Sequence, residues 1–207
     1  AAAAPGAVFG NAGQDCCARS RILVERPAYD SFMALLEEQV RALRVGDPLD
    51  PDTQMGPLIS AAHRDEVSSY LDDGAPVAFT GSAPDGPGFW LAPTVLAPVA
   101  NDARPAREEI FGPIACVIPF DGEAEAIALA NDTPYGLSGS IWTRDGARAL
   151  RVARAIDSGV LSINSNTSVR VSTPFGGFKQ SGVGRELGPH ALDHYTEVKN
   201  VYYATGG

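Results

Sequence analysis

Lysine is scarce in this chain of 207 residues, and cysteine, methionine and tryptophan are also rare. Lys179 and Lys199 are the two lysines among 16 basic residues, which face 25 acidic ones, so the formal net charge is −9. Acidic side chains spread along the chain argue against a surface for nucleic acid or for anionic membranes. The longest apolar runs are too short to cross a bilayer. We therefore expect neither a nucleic-acid partner nor a membrane partner.

Three cysteines are too few for a disulfide framework, and two of them, Cys16 and Cys17, are adjacent. This usage fits a reducing compartment, so we expect a cytoplasmic protein without a signal peptide. The three histidines lie far from the cysteines in sequence and show no zinc-ligand spacing with them, so we expect no metal site. The missing initiator methionine and the abrupt start suggest a fragment or a processed chain.

Helical and strand patterns alternate along the chain, which predicts one α/β domain with a largely parallel sheet. Apolar residues from Tyr29 to Leu43 recur at helical spacing, and Ser60 and Asp145 are placed to cap helices. The apolar run from Ile114 to Ile118 is typical of a strand buried on both faces. Further strands or extended segments are expected at 21–24, 77–79, 89–96, 137–142, 159–163 and 197–203, and helices around 67–71, 124–128, 147–156 and 186–194.

The stretch Gly13-Gln14-Asp15-Cys16-Cys17 places a thiol on a short polar loop before a strand. A thiolate attacks carbonyl carbon, and a loop lets that carbon come close. Neighbouring side chains in an extended or loop segment point to different sides, so we expect the two thiols not to face one pocket. Most free cysteines are buried small apolar residues, so the residues alone leave both a catalytic and a packing role open. Cys116, inside an apolar run, is expected to be structural.

Two later stretches also combine residue types that suit a binding site. In Glu108-Glu109-Ile110-Phe111-Gly112-Pro113, a carboxylate can accept hydrogen bonds from vicinal ribose hydroxyls, and an aromatic ring can pack beside them. Spacing alone favours the alternative, an exposed glutamate pair before a core phenylalanine. The segment Pro174-Phe175-Gly176-Gly177 belongs to a long aperiodic loop from Asn164 to Val183, and its glycines allow close backbone approach. Such a loop suits a wall lying against a site.

In this order and at these separations, the three motifs resemble the catalytic-domain signatures of the aldehyde dehydrogenase superfamily. The resemblance runs from about Ala7 to Val201 and implies a three-layer αβα domain of that type. It implies aldehyde oxidation with NAD or NADP through a thiohemiacetal and a thioester on the nucleophile. The implied roles are Cys16 as nucleophile, Cys17 as a packing residue, Glu109 and Phe111 as cofactor-binding residues, Glu108 as a surface residue, and Asn164, Asn166, Val169 and Phe175 as substrate-lining residues.

The resemblance also implies a division of the chain. Residues 1–196 would form the catalytic domain, and residues 197–207 would be an oligomerisation strand that joins a partner subunit in a homodimer or homotetramer. The family's general base, second oxyanion donor and dinucleotide-binding domain precede the nucleophile, so this chain is expected to lack them and to be inactive alone. Lys179 and Arg185 are expected to hold their loop. Arg170 is either a solvated surface residue or the partner of a carboxylated aldehyde.

Two other functional classes remain open from the sequence. A thiol hydrolase or acyltransferase would use Cys16 without a dinucleotide and would need a histidine or an acid close to the thiol. A non-catalytic oligomerisation domain would need no reactive cysteine at all. A selectively reactive Cys16 favours an enzyme, whereas slow and unselective alkylation of both adjacent thiols favours the non-catalytic domain.

Overall fold

The computed structural model describes residues 1–167 and 169–206, and its helices and strands are those of this part of the chain. The α-helices are α1 (Ala4–Val8), α2 (Tyr29–Arg41), α3 (Ala61–Ser69), α4 (Arg104–Arg107), α5 (Gly122–Asn131) and α6 (Gly146–Ala155). The strands are β1 (Arg21–Glu25), β2 (Val77–Thr80), β3 (Thr94–Leu96), β4 (Ile114–Phe120), β5 (Tyr135–Gly136), β6 (Ser138–Ile141), β7 (Val160–Ile163) and β8 (Phe178–Lys179). Short 3₁₀ turns lie at Gly10–Gly13, Arg26–Ala28 and Ala191–His194.

The central sheet has four strands in the order β1-β4-β3-β2. Strands β1 and β3 both run parallel to β4, and β2 closes the sheet antiparallel to β3. Residues 114–118 of β4 are buried, as the continuous apolar run predicts. Helix α2 adds Leu36 and Val40 to the same core. The expected α/β class with parallel pairing is therefore confirmed.

The second half of the chain is organised differently. Strands β6 and β7 form a separate parallel pair, and β5 and β8 form an antiparallel pair, so the strands do not join one sheet. Among the described residues after 120, the buried ones are Gly136, Ala149, Ser162 and Gly177. The extended apolar core lies instead between Val8 and Ile118. No helix of the described part is long and apolar enough to span a membrane.

Two expected elements near the end of the chain are corrected. The helix expected over 186–194 is only the short turn Ala191–His194, because Leu187 and Gly188 have φ angles of 60° and 68° and Pro189 follows. Residues 197–206 contain no regular secondary structure, so the strand expected at 197–203 is not formed in the single chain. A strand requires a hydrogen-bonded neighbour, and this segment has none among the described residues.

Candidate active site

The loop that carries Cys16 begins with a sharp reversal after α1. Asn11, Ala12 and Gly13 have φ angles of 52°, 54° and 72°, so three consecutive residues lie in the left-handed region. The Asn11 side chain donates a hydrogen bond of 2.7 Å to the Gln14 carbonyl, which fixes the reversal. The Gln14 side chain in turn accepts a 2.9 Å bond from the backbone N–H of Ile59. The start of the loop is therefore anchored on both sides.

The two adjacent cysteines lie in a tight turn. The Asp15 carbonyl accepts a 2.9 Å bond from Ala18 N–H, and the Asp15 carboxylate accepts a 2.7 Å bond from Cys17 N–H. A carboxylate oxygen of Asp15 and the sulfur atoms of Cys16 and Cys17 all lie within 4.8 Å of one another. The two sulfurs therefore lie close together, although the side chains of neighbouring residues were expected to point to different sides, because Asp15 closes a turn here. That the two thiols do not face one pocket stays a prediction.

Cys16 is exposed at the tip of this turn. Asp15 accepts hydrogen bonds from the N–H groups of Cys17 and Ala18. The N–H of Cys16, in contrast, has no hydrogen-bond acceptor among the described residues. Burial raises the pKa of the Cys16 thiol to about 11, with further contributions from Cys17 and then Asp15. No histidine of the described part contributes to this shift. A thiol with this pKa is protonated at neutral pH, so the turn exposes Cys16 in its neutral form.

The cysteine loop packs directly on the second motif. Gly13 lies so close to Gly112 that a Cβ on Gly13 would overlap the Gly112 carbonyl oxygen. Phe111, the residue before this contact, has a φ of 54°, and its carbonyl oxygen lies 2.8 Å from Nε2 of His63. The Phe111 and His63 rings meet edge to face at 6.2 Å between centroids. The fold therefore brings together two motifs that are nearly a hundred residues apart.

The two glutamates of the second motif have different surroundings. Glu108 accepts a 2.9 Å bond from the Tyr70 hydroxyl and a 3.0 Å bond from Arg104, and these contacts lower the pKa of its carboxyl. Glu109 is exposed, and the Phe111 side chain is 40% exposed beside it. Glu108 is therefore held by neighbouring side chains, whereas the Glu109 carboxylate and part of the Phe111 ring are accessible, and their contact with a cofactor stays a prediction.

Arg19 ties the end of the cysteine turn to the second half of the chain. Its Nη1 donates to the Cys17 carbonyl and, at 2.6 Å, to the Ser138 hydroxyl, while Nε donates at 3.0 Å to Ser140. The Ser140 hydroxyl lies 3.3 Å from the Asn166 side-chain oxygen. Burial lowers the pKa of Arg19. The guanidinium thus connects the cysteine turn, through Ser140, with a residue expected to line the substrate.

The four expected substrate-lining residues occupy the segment after β7. Asn164 has its side chain committed to Thr143, donating to its carbonyl and accepting from its N–H at 3.0 Å each. Asn166 is linked to the cysteine turn through the Ser140 hydroxyl. Val169 is exposed, and Phe175 is partly buried. The structure therefore gives Asn164 a bracing role, and contact of any of the four with substrate stays a prediction.

Comparison with known proteins decides the family. The sequence model described as aldehyde dehydrogenase family matches residues 1–201.

The chain belongs to the aldehyde dehydrogenase family.

Relatives of this family member differ in the substrate that they are named for. The chain is 46% identical over 202 residues to a 2-hydroxymuconic semialdehyde dehydrogenase of Pseudomonas putida, covering 93% of the chain and 42% of that protein. It is 46% identical over 211 residues to betaine aldehyde dehydrogenase 1 of Rhizobium meliloti, covering 97% and 43%. The solved Mycobacterium tuberculosis aldehyde dehydrogenase complexed with NAD⁺ has a TM-score of 0.90 and 43% identity, covering 100% and 44%. The chain thus spans less than half the length of these relatives.

Two basic residues of the family's glycine-rich loop hold that loop, as expected. Lys179 donates a 2.6 Å bond to the Asn131 carbonyl and lies 3.5 Å from the Asp157 carboxylate. Arg185 donates a 2.9 Å bond to the Gly177 carbonyl. Both side chains therefore bind backbone carbonyls, and Lys179 also lies near a carboxylate. These contacts account for the two basic residues without a role in binding phosphate.

Three residues near the cysteine turn and the second motif make contacts that the sequence did not predict. Gln14 and His63 act through Ile59 and Phe111, partners more than forty residues away, so no local pattern indicates them. Arg19 carries a weak signal, because it stands two residues after Cys17 and two residues before strand β1 begins. Only the fold shows that its guanidinium turns back onto the cysteine turn.

Proposed function

We propose that the protein oxidises an aldehyde to a carboxylic acid with NAD(P)⁺, using Cys16 as the nucleophile. The observation that carries this proposal is the exposed Cys16 thiol, with its unused backbone N–H, on a loop packed against the segment of Glu109 and Phe111. A candidate nucleophile, a candidate oxyanion donor and a candidate cofactor surface thus belong to two segments that pack on each other at Gly13 and Gly112. Membership of the aldehyde dehydrogenase family supports the same chemistry.

Cys16 carries out the covalent steps of this proposal. Its thiolate adds to the aldehyde carbon, and the carbonyl oxygen becomes an alkoxide that accepts a hydrogen bond from the Cys16 N–H. Loss of hydride from that carbon leaves a thioester on Cys16, which water hydrolyses to the acid and the free thiol. NAD(P)⁺, when bound, supplies the hydride acceptor. Because the pKa of Cys16 is raised to about 11, its thiol is protonated at neutral pH, and the reaction requires a base that removes this proton.

Glu109 and Phe111 fit a dinucleotide. The exposed Glu109 carboxylate is available to accept two hydrogen bonds from ribose hydroxyls, while its neighbour Glu108 is already held by Tyr70 and Arg104. The exposed part of the Phe111 ring offers an apolar surface beside that carboxylate. The NAD⁺ complex of the Mycobacterium tuberculosis relative supports NAD as the cofactor.

Arg170 favours a carboxylated aldehyde as substrate. It is exposed and lies between Asn166 and Phe175, in the loop expected to line the substrate. A guanidinium binds a carboxylate through two parallel hydrogen bonds, and it repels a cationic substrate. The Pseudomonas putida relative is named for a semialdehyde, which is a carboxylated aldehyde, whereas the Rhizobium meliloti relative is named for betaine aldehyde, which is cationic. We therefore place a semialdehyde ahead of betaine aldehyde.

The apolar end of the chain supports a homodimer or homotetramer of the intact protein. Val198 is 100% exposed and Tyr202 is 87% exposed, and residues 197–206 lack a strand partner. Pairing this segment with a sheet edge of a second copy would satisfy its backbone groups and cover its apolar side chains. The assignment of residues 1–196 to catalysis and 197–207 to assembly is part of this proposal.

The experiment that tests the function measures NADH formation by the natural protein with aliphatic, aromatic, carboxylated and cationic aldehydes. Cys16→Ala is expected to abolish turnover, and Cys116→Ala is the matched control, because Cys116 is buried in β4. Acid quenching during turnover, followed by mass spectrometry, should find the acyl group on the Cys16 peptide. Release of acid from an activated ester without any NADH formation would instead favour the thiol hydrolase.

The substrate class is tested separately with Arg170→Met. We expect a KM at least about tenfold higher for a semialdehyde, since one charge-assisted contact to a substrate is lost, and little change for a neutral aldehyde of similar length. Arg154→Met, in α6, is the matched control. An equal effect on both aldehydes would overturn the substrate assignment while leaving the dehydrogenase reaction in place.

A further inference from the structure

Three metal-ligating groups converge at the tip of the cysteine turn. A carboxylate oxygen of Asp15 and the sulfurs of Cys16 and Cys17 all lie within 4.8 Å of one another. In a tetrahedral zinc site, bonds of about 2.3 Å to sulfur and 2.0 Å to oxygen set the two sulfurs about 3.8 Å apart and each sulfur about 3.5 Å from the oxygen. The separations therefore need to shorten by at most about 1.3 Å, which side-chain rotation at an exposed turn allows.

The surroundings of the turn suit such an ion. One Asp15 carboxylate oxygen already accepts the Cys17 N–H at 2.7 Å, which orients the carboxylate and leaves its other oxygen for a ligand. Two thiolates, one carboxylate and a divalent cation sum to one negative charge, and the Arg19 guanidinium beside the Cys17 carbonyl supplies the balancing positive charge. Because Asp15 and Cys16 are exposed, water can occupy the fourth position.

We propose that Asp15, Cys16 and Cys17 form a binding site for one thiophilic divalent cation, Zn²⁺ or Cd²⁺. Binding forms two metal–sulfur bonds and one metal–oxygen bond and releases the two thiol protons to solvent, with no change of oxidation state. The site itself follows from the geometry of the turn. Its consequence for turnover rests on the proposed function: an ion on Cys16 occupies the electron pair that would attack the aldehyde, so metal and aldehyde exclude each other.

The test titrates the metal-free natural protein with Cd²⁺ and follows the ultraviolet absorption of the thiolate-to-cadmium charge transfer. We expect one Cd²⁺ per chain. Loss of an outer-sphere partner already weakens metal sites by 10–100-fold, so Cys17→Ala, which removes a direct ligand, should weaken binding at least about 100-fold. Asp15→Asn should weaken it at least about tenfold. Cys116→Ala and Asp85→Asn, which change a buried thiol and a loop carboxylate elsewhere, should leave it unchanged.

Undiminished Cd²⁺ affinity in Cys17→Ala, or no charge-transfer band in the unaltered protein, would overturn the site. If the variants fail to fold by circular dichroism, alkylation of the unaltered protein decides: Cd²⁺ should protect Cys16 and Cys17 together, and protection of Cys16 alone contradicts the proposal. The absorption readout requires no turnover, so it is independent of the dehydrogenase reaction. Aldehyde oxidation in chelator-treated buffer tests that reaction separately.

Discussion

The Cys16 thiol should react only slowly at neutral pH in this chain. Its pKa is raised from 9.0 to about 11, first by burial and then by Cys17 and Asp15. Because only the thiolate is alkylated, its rate with iodoacetamide should rise about tenfold per pH unit from pH 7 to about 10. Mass spectrometry of the Cys16 peptide at each pH measures this rate.

The same shift has a consequence for stability. The unfolded thiol ionises near 9.0 and the folded one near 11, so the unfolded state loses this proton first as the pH rises. The contribution of Cys16 to the free energy of unfolding therefore falls above about pH 9 and levels off above about 11.

For the iodoacetamide reaction, an alkylation rate of Cys16 that levels off near pH 7 would contradict the raised pKa and would show that the chain itself activates this thiol.

Arg19 should be a positioning residue for the nucleophile. Arg19→Leu removes the donors to the Cys17 carbonyl and to the hydroxyls of Ser138 and Ser140, and we expect the unfolding free energy to fall by about 1–3 kcal/mol. If Cys16 acts as proposed, kcat should drop at least about tenfold while the Kd for NAD⁺ stays unchanged. Stopped-flow burst kinetics and NAD⁺ titration separate the two quantities.

Arg19→Lys supplies the control for that prediction. A lysine keeps the charge but provides no planar fork for two partners, so it should recover only part of kcat. Equal losses in kcat and in NAD⁺ affinity would point to general unfolding of the domain instead of misplacement of the cysteine turn.

The reversal at Gly10–Gly13 is the element that packs the cysteine loop against Gly112. In Gly13→Ala, the new methyl group would overlap the Gly112 carbonyl, and alanine would also have to adopt a φ of 72°. We expect a loss of at least about 2 kcal/mol in unfolding free energy, measured by urea denaturation.

Gly6→Ala is the matched substitution for that experiment. Gly6 lies in α1 with open space where a Cβ would stand, so alanine there should be neutral or stabilising by up to about 1 kcal/mol. Similar losses from both substitutions would show that the contact between Gly13 and Gly112 is unimportant.

Helix α6 depends on its N-cap. The Asp145 carboxylate accepts bonds of 3.1 Å and 2.9 Å from the N–H groups of Arg148 and Ala147, which lower its pKa below 3.8. Asp145→Ala should lower the urea midpoint at pH 7, and Asp145→Asn should lower it less, because asparagine keeps an oxygen that accepts these bonds. Since the folded pKa is lowered, the contribution is complete above the unfolded pKa and disappears as the pH falls through the folded one. A constant difference between the unaltered protein and the Asp145→Ala variant down to pH 2 would contradict this.

Elements set by local pattern were predicted, and elements set by distant partners were not. The helix from Tyr29, the caps Ser60 and Asp145, and strand β4 follow from spacing and side-chain chemistry, and the structure confirms them. The three motifs predicted the family correctly, and the role of Cys16 as nucleophile stays a prediction. The side-by-side arrangement of Cys16 and Cys17 was missed, because it depends on the carboxylate of Asp15 closing a turn.

At the scale of the whole molecule, burial is unequal between the two halves. The first 118 residues hold the apolar core, while the later part leaves large apolar side chains exposed, among them Trp142, Leu150, Val183 and Leu192. Exposed apolar surface of this extent is typical of faces that contact other protein. The second half therefore has few buried residues of its own, and its exposed apolar side chains are available for contact with other protein.

The assembly proposal predicts a change of oligomeric state. In the natural protein, the double variant Val198→Asp and Tyr202→Asp should shift the dimer or tetramer to a smaller species, because two charges would enter a buried strand contact. Size-exclusion chromatography with light scattering measures the mass. Leu49→Asp changes a residue that is 90% exposed in a different loop and should leave the mass unchanged. A native mass in the double variant would show that the C-terminal segment does not mediate assembly.

The order of strands in the central sheet has a consequence for how the protein folds. Strand β1 pairs with β4, so Arg21 stands opposite Cys116, roughly a hundred residues later in the chain. During synthesis, strand β1, which follows Cys16, therefore has no β4 partner to pair with until residues 114–120 have left the ribosome. Closing so long a loop slows folding, and nascent chains that stop before residue 114 should be bound by chaperones or aggregate.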